Sequence, residues 1–445
     1  MKPTKERYGL PTAITMIIGV CIGSGIFFKS DNILVATGGS VPLGVLVFVL
    51  GAVAIVFGGL AMGELASRTD QPGGIFTYFE QFAGPKPACA FGWFQTFIYF
   101  PTITIVVSWV VGIYGCILFN IDASLELQIL IGMAFCALCF LYNVLWAKFG
   151  GAVQNVSTLI KLLPLALLGV AGMLWGDPVG GLTNIRTHDL AGIGWLAAIG
   201  PIAYSYDGWV VSTSIAHEVK DARRNLPRAL TIAPLIILLI YVSYFVGITC
   251  YVGPQQVMAL EDAHVTAAAA SLFGGTFAKA ITVFVIISVM GTVNGLVMGY
   301  IRMPYSLALR HGMMPGAKWL AQVDPRLQMP VHSACLAFGL CAFWMLVHYF
   351  CTRFGLLPNS DVSEIAIAIS YLFYLLLYWR IYRMHRAGLI QSRAKGVVIP
   401  ALAACGSLII LSGGLQSGWL FLVYLLICGL VVLASQLYYR RSPAQ

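Results

Sequence analysis

Two glycine-centred stretches, Gly23-Ser24-Gly25-Ile26-Phe27 and Ser205-Tyr206-Asp207-Gly208-Trp209, interrupt long apolar runs of this chain. Hydrocarbon offers no water to pair peptide groups, so a helix break at membrane depth survives only against a cavity or a ligand. Small residues at Gly23, Ser24 and Gly25 relax the backbone enough for a helix to stop and restart near Ile26. The restarting half presents unpaired N–H groups and a positive dipole end, which suit a carboxylate. The half that ends around Ile22 presents free carbonyls, which suit an ammonium group. The Tyr204–Trp209 stretch offers the complementary set. A free amino acid carries both charges on one carbon and matches such a pair. A single Gly-x-x-x-Gly spacing, as from Gly19 to Gly23, could instead serve helix packing. The second break, about 180 residues later, favours a site.

Charged groups inside apolar runs are the next candidates. Lys161, in Lys161-Leu-Leu-Pro164, is an ammonium within a span, where a charge is costly and marks function by default. Snorkelling to the surface near Lys148 would require reaching across roughly 18 Å of helix. A fixed internal cation is the better reading. Asp207 either caps a helix starting at Gly208 or contacts the substrate ammonium, and one residue can do both. Glu364 could face the pathway to bind a cation or a proton; a place at the outer interface beside Asp361 is favoured. Glu218 begins a charged run that reads as the solvated end of the second broken span and as a candidate inner gate.

These residues need a membrane scaffold to position them. The chain is 59% hydrophobic and only 10% charged, with a mean hydropathy of +0.86, which excludes a soluble domain. Twelve stretches are long enough to cross a bilayer: 10–36 (broken), 42–66, 89–119, 125–147, 150–175, 191–219 (broken), 228–252, 273–301, 330–351, 361–381, 397–414 and 418–439. With both termini cytoplasmic, only Arg186 and Arg353 of the 26 Lys and Arg residues face the other side, and Lys29, Lys161 and Lys279 lie in or at the ends of spans. Spans 1–5 and 6–10 each open with a broken helix, and an odd number of spans per unit forces opposite orientations. The expected organisation is an all-α membrane protein with a 5+5 inverted repeat. Residues 1–190 form the first repeat, 191–390 the second, and 391–445 two further spans with the C-terminal tail.

The net charge of +9 sits in short clusters between apolar runs, a pattern that orients a membrane protein rather than one that binds nucleic acid. The eleven cysteines and seven histidines show no metal-ligand spacing. No phosphate-binding loop and no Ser/His/Asp arrangement stands out, so the expectation is a carrier without a cofactor rather than an enzyme. No removable signal peptide is read at the N-terminus.

The chain resembles the amino acid–polyamine–organocation superfamily, in its L-type amino-acid transporter branch, and is similar to bacterial serine/threonine and alanine/serine/cysteine exchangers. The resemblance spans residues 8–380. It rests on Ile22-Gly-Ser-Gly-Ile-Phe27, Gly63-Glu-Leu-Ala66 with Pro72-Gly-Gly74, Lys161-Leu-Leu-Pro164, Asp207-Gly-Trp209, Arg224-Asn-Leu-Pro227, Gly291-Thr-Val-Asn-Gly295 and Arg310-His-Gly-Met-Met-Pro315. It implies a LeuT-type fold and sodium-independent exchange of amino acids by alternating access. The paired breaks, Lys161 and the lack of well-placed acids for a cationic side chain point to small or medium neutral amino acids, with a proton-coupled or exchange carrier of cationic amino acids or polyamines as the alternative. The lack of eukaryotic loop features points to a bacterial inner membrane. Gly23, Ser24 and Gly25, flanked by Ile22 and Ile26, would hold the substrate carboxylate. The backbone of Tyr204, Ser205, Tyr206, Asp207 and Gly208 would complete the ammonium site. Tyr204 would be an aromatic gate, and Tyr241 and Asn294 would lie near the substrate. Lys161 would join span 1 to Thr292, replacing a sodium ion. Two departures matter. The loop 120–124 has no cysteine, so no disulfide-linked heavy subunit is expected, and Leu296 stands where some relatives carry a small polar residue.

Overall fold

The computed structural model describes residues 9–441 except 24, 70–73, 123, 184–191, 193, 211–218, 358–359 and 416–417. Ser24 and Glu218 therefore lie outside the described residues.

Among the described residues, ten helices are long and apolar enough to cross a membrane. Labelled with the short helices that matter here, the order begins α1 (Leu10–Cys21), α2 (Gly25–Phe28) and α3 (Ser30–Ala36). The long helices α4 (Val41–Ala66), α5 (Pro85–Phe119), α6 (Leu125–Leu145) and α7 (Lys148–Trp175) follow. The short α8 (Ile199–Ser205) precedes α9 (Arg224–Val252), α10 (Gly275–Ala308), α11 (Val331–Arg353), α12 (Val362–Arg386), α13 (Ala394–Leu415) and α14 (Trp419–Arg441). The ten match the ten unbroken stretches expected from sequence, with ends moved by up to several residues. Among the described residues there is no β-strand.

The first expected interruption occurs, and at the second the helix ends where expected, its continuation beyond residue 210 lying outside the described residues. Helix α1 stops at Cys21, Ile22 turns to an extended conformation (φ −73°, ψ 104°), and helix resumes at Gly25. Helix α8 ends at Ser205, and Gly208 adopts φ +94°, a left-handed backbone open to glycine at little cost. The two interruptions meet in space. A Cβ added to Gly25 would sit 2.5 Å from Ser205 Cα.

Glycines also bring the long helices together. A Cβ at Gly172 in α7 would meet the Gly247 carbonyl of α9 at 2.4 Å, so these backbones pack in direct contact. Helix α12 has a built start, with Asp361 accepting from the backbone N–H of Ser363 at 2.8 Å and of Glu364 at 3.3 Å.

One irregularity shapes the site. Pro101 in α5 has no N–H to give to the Phe97 carbonyl, and the preceding turn widens to a π-helical stretch over Gln95–Tyr99. Trp344 Nε1 of α11 takes the freed Phe97 oxygen at 2.7 Å, and the Tyr300 hydroxyl of α10 takes that of Thr96 at 2.6 Å. The bulge is satisfied from outside, and it ends on Tyr99.

Candidate functional site

The two breaks share one cavity of about 100 Å³. Gly19, Cys21, Gly23 and Gly25 form one wall, and Tyr204, Asp207 and Gly208 the facing one. The remainder comes from α5 (Tyr99, Phe100, Ile103, Val107), α7 (Gln154, Lys161) and α10 (Thr292, Gly295, Leu296, Gly299).

A broken helix leaves carbonyls without intrahelical partners, and their fate shows why the break is stable. The Ile18 oxygen keeps the N–H of Ile22 at 2.8 Å. The Gly19 oxygen takes the Lys161 ammonium at 2.6 Å, and the Cys21 oxygen takes the Tyr241 hydroxyl at 3.2 Å. The same hydroxyl lies 2.8 Å from the Ser205 oxygen at the end of α8. One tyrosine thus staples both breaks. Lys161 is 1% exposed, and its second neighbour is Thr292 Oγ1 at 3.5 Å. Thr292 Oγ1 is also the atom nearest a Cβ built on Gly23, at 2.7 Å. A cation at the C-terminal end of α1 is where the helix dipole favours one.

The sequence-derived residues divide into two groups. Gly23, Gly25, Tyr204, Asp207, Gly208, Lys161 and Thr292 line the cavity. Ile22 and Ile26 are buried behind the first wall, Ser205 Oγ bonds back to the Pro201 oxygen at 2.9 Å, and the Tyr206 hydroxyl points to the Phe48 oxygen at 3.3 Å. Asn294 also faces away. Its amide bonds to Tyr142, Asn143, the Gly150 oxygen and Gln154, tying α10 to α6 and α7. These partners occupy both ends of the amide, next in sequence to Gly295 and Leu296 in the cavity wall. Tyr241 likewise holds backbone rather than cavity. Asp207 hydrogen-bonds the Tyr99 hydroxyl across the cavity, and beyond Gly208 only a short turn at Trp209–Val210 is described. The carboxylate accepts from Tyr99 across the cavity and also meets the backbone of Gly208, and the stretch it was expected to cap runs on into residues outside those described.

Sequence reasoning missed a buried ionic triad beside this site. The Lys29 ammonium bridges Asp361 at 2.6 Å and Glu364 at 2.5 Å, with all three side chains at most 5% exposed. It also lies 5.1 Å from the centre of the Tyr204 ring. The expected place for Glu364, beside Asp361 at the interface, is half correct: the two carboxyls are adjacent, but both are sealed inside. The partners are more than 300 residues apart, so no local spacing announces them.

Comparison with known proteins now bears on this geometry. The amino acid permease family model matches residues 8–435. The chain belongs to that family, within the amino acid–polyamine–organocation superfamily. It is 30% identical over 92% of its length to the serine/threonine exchanger SteT of Bacillus subtilis (strain 168), covering 91% of that protein. It is 28% identical to Asc-type amino acid transporter 1 of Homo sapiens, over 86% of this chain and 73% of that one. The cystine/glutamate transporter of Homo sapiens is 26% identical over 83% and 74% respectively. This permease is therefore a multi-pass membrane protein of an amino-acid transporter family, and exchangers are among its relatives.

Proposed function

We propose that this permease exchanges small or medium neutral L-amino acids without sodium, by alternating access. The observation that carries the reading is Lys161 at the Gly19 oxygen and beside Thr292, where a tethered ammonium joins α1 to α10. A site already holding a fixed positive charge there has little room for a sodium ion. The backbone amides around Gly23–Gly25 take the substrate carboxylate, and the carbonyl ends of α1 and α8 take its ammonium group. Tyr204 gates the cavity. Glu218 is an inner gate. Leu296 in the wall and a volume of about 100 Å³ favour a small side chain. The architecture is twelve spans in a LeuT-type inverted repeat, residues 1–190 against 191–390, with two more spans in 391–445. Both termini are cytoplasmic, in a bacterial inner membrane, with no disulfide-linked heavy subunit.

Purified protein in liposomes preloaded with unlabelled serine or alanine is expected to take up the labelled amino acid equally with sodium or choline outside. Uptake that requires a sodium gradient overturns the reading.

A second reading, exchange or proton-coupled carriage of a cationic amino acid or polyamine, is favoured by Asp207 alone, whose carboxylate lines the cavity. Asp207→Asn separates the two. Loss of a charged hydrogen bond to a cationic ligand is worth about 1.5–3 kcal/mol, which is roughly 10–100-fold in affinity. If neutral amino acids are the substrate, their exchange is expected to persist with a smaller loss from the weakened Tyr99 contact. A competition panel of the twenty amino acids against one labelled substrate reads both outcomes.

A further inference from the structure

Lys29, Asp361 and Glu364 take no part in the site above, yet they sit against it. Lys29 follows the helix that restarts after the first break, and the two carboxyls open α12. The Glu364 carboxyl also rests on α8, where a Cβ added to Gly200 would lie 2.6 Å from Oε2. The triad therefore clamps both broken segments to α12. In the orientation proposed above it lies on the outer side of the cavity, and the present inference rests on that reading.

The charges do not balance. One ammonium faces two carboxylates, all buried, and an unpaired buried charge costs several kcal/mol. Among the described residues, the surrounding elements do not supply a second positive charge. Asp31 of α3 and Asp262 of the 261–263 turn both act electrostatically on Lys29, or it on them, and they add negative charge. On α8 the facing group is the neutral Tyr204 ring, and on α14 it is the hydroxyl of Tyr424, which feels Asp361. His348 of α11 is within electrostatic reach of Asp361 and Lys29, but both of its ring nitrogens are buried without a hydrogen-bond partner. Such a setting does not stabilise an imidazolium.

The two carboxyls differ in what they can hold. Asp361 is surrounded by donors: the Lys29 ammonium, the N–H groups of Ser363 and Glu364, and the Ser363 hydroxyl. Donors of this kind, at the positive end of a helix, hold a carboxylate in its charged form. Among the described residues, Glu364 has Lys29 on Oε1 and the Ser360 hydroxyl, at 2.7 Å, on Oε2 as its hydrogen-bond partners. A hydroxyl donates to a carboxylate and, by rotating, accepts from a carboxylic acid. Glu364 can take a proton without losing either partner.

We propose that Glu364 is a proton-binding site of the transport cycle, occupied while Lys29 holds the outer side of the cavity shut. On outer closure one proton passes from the outer solution to Glu364 Oε2, and the O–H then donates to Ser360. On opening, Lys29 separates from the carboxyls, water reaches Glu364, and the same proton returns outside. A full exchange cycle moves no net proton, yet each half needs the proton to bind or leave.

The test is exchange of labelled serine or alanine in proteoliposomes, with pH set equal on both sides and stepped from acid to alkaline. The wild-type protein is expected to show a bell-shaped profile, its alkaline limb falling about tenfold per pH unit. Glu364→Gln, a neutral mimic of the protonated acid, is expected to slow exchange at every pH, because opening is no longer driven by proton release, and the remaining rate is expected to lack the alkaline limb. If the Gln variant does not fold, Glu364→Asp is read instead; its shorter stem withdraws the carboxyl from Ser360, and a displaced midpoint is expected. A wild-type rate without an alkaline limb, a Gln variant that retains it, or an Asp variant with an unmoved midpoint overturns the proposal. Exchange by the wild type in the same vesicles keeps the proposed function standing whichever way these results fall.

Discussion

Lys161→Ala is expected to lower exchange turnover by roughly 10–100-fold while leaving the amount of folded protein in the membrane largely intact. The argument begins with the broken end of α1. The Gly19 carbonyl has lost its intrahelical partner and is met by the Lys161 ammonium at 2.6 Å. Alanine leaves that oxygen buried and unpaired, at a cost of about 1–3 kcal/mol. The ten long helices do not depend on this one contact, so the cost falls on the position of α1 relative to α10. A barrier raised by about 1.4 kcal/mol slows a step tenfold. The measurement is the exchange rate in proteoliposomes at matched protein content, with sodium added in a parallel set. Wild-type turnover in the variant would remove Lys161 from the mechanism. Recovery of activity by sodium in the variant alone would give the bridging role its strongest support, because an external cation would then be filling the place of the tethered one.

The difference between what was legible in the sequence and what was not follows the range of the interactions. Helix breaks at Gly23–Gly25 and at Gly208 were legible because two glycine-centred stretches recur about 180 residues apart, whereas one alone could have served helix packing. Lys161 was legible because a lone ammonium in a span is too costly to be incidental. Its carbonyl partner was not, since the partner is the backbone of a residue 142 positions away. What Tyr241 and Asn294 bond to was not legible, for one reason. Both lie near the breaks in sequence order of the elements, but only coordinates decide which way a hydroxyl or an amide faces. Tyr241 turned out to serve the orphaned carbonyls, and Asn294 the seam between α10 and its neighbours α6 and α7. The Tyr99–Asp207 contact depends on the π-helical turn ahead of Pro101. The proline signals a disturbance, yet nothing in the sequence says that the shifted register ends on the cavity. The Lys29 triad was least legible, since each member alone reads as a solvated residue near a span end.

Gly25→Val is expected to abolish substrate binding, and Gly25→Ala to weaken both binding and stability. Gly25 is where the first break touches the second, and the obstacle is backbone: a Cβ there would lie 2.5 Å from Ser205 Cα, with Ser205 Oγ at 3.0 Å and Cβ at 3.2 Å. A flexible side chain could swing aside, but the Ser205 backbone is held by Tyr241 at its carbonyl, so relief has to come from parting the two breaks. Overpacking of this kind costs about 1–3 kcal/mol for a methyl group. A β-branched side chain adds two stiff methyls and leaves no rotamer that avoids the contact. Parting the breaks also separates the half-helix ends that must grip the two charges of one small zwitterion, so affinity falls faster than stability. Gly115→Ala is the control, because a Cβ at that position on α5 meets nothing within 4 Å, and there the change should be neutral or slightly stabilising. Thermal unfolding of the three variants, with and without saturating serine or alanine, reads stability and binding together. Ligand stabilisation in Gly25→Val equal to that of the wild type would mean that the site is not built on the meeting of these two backbones.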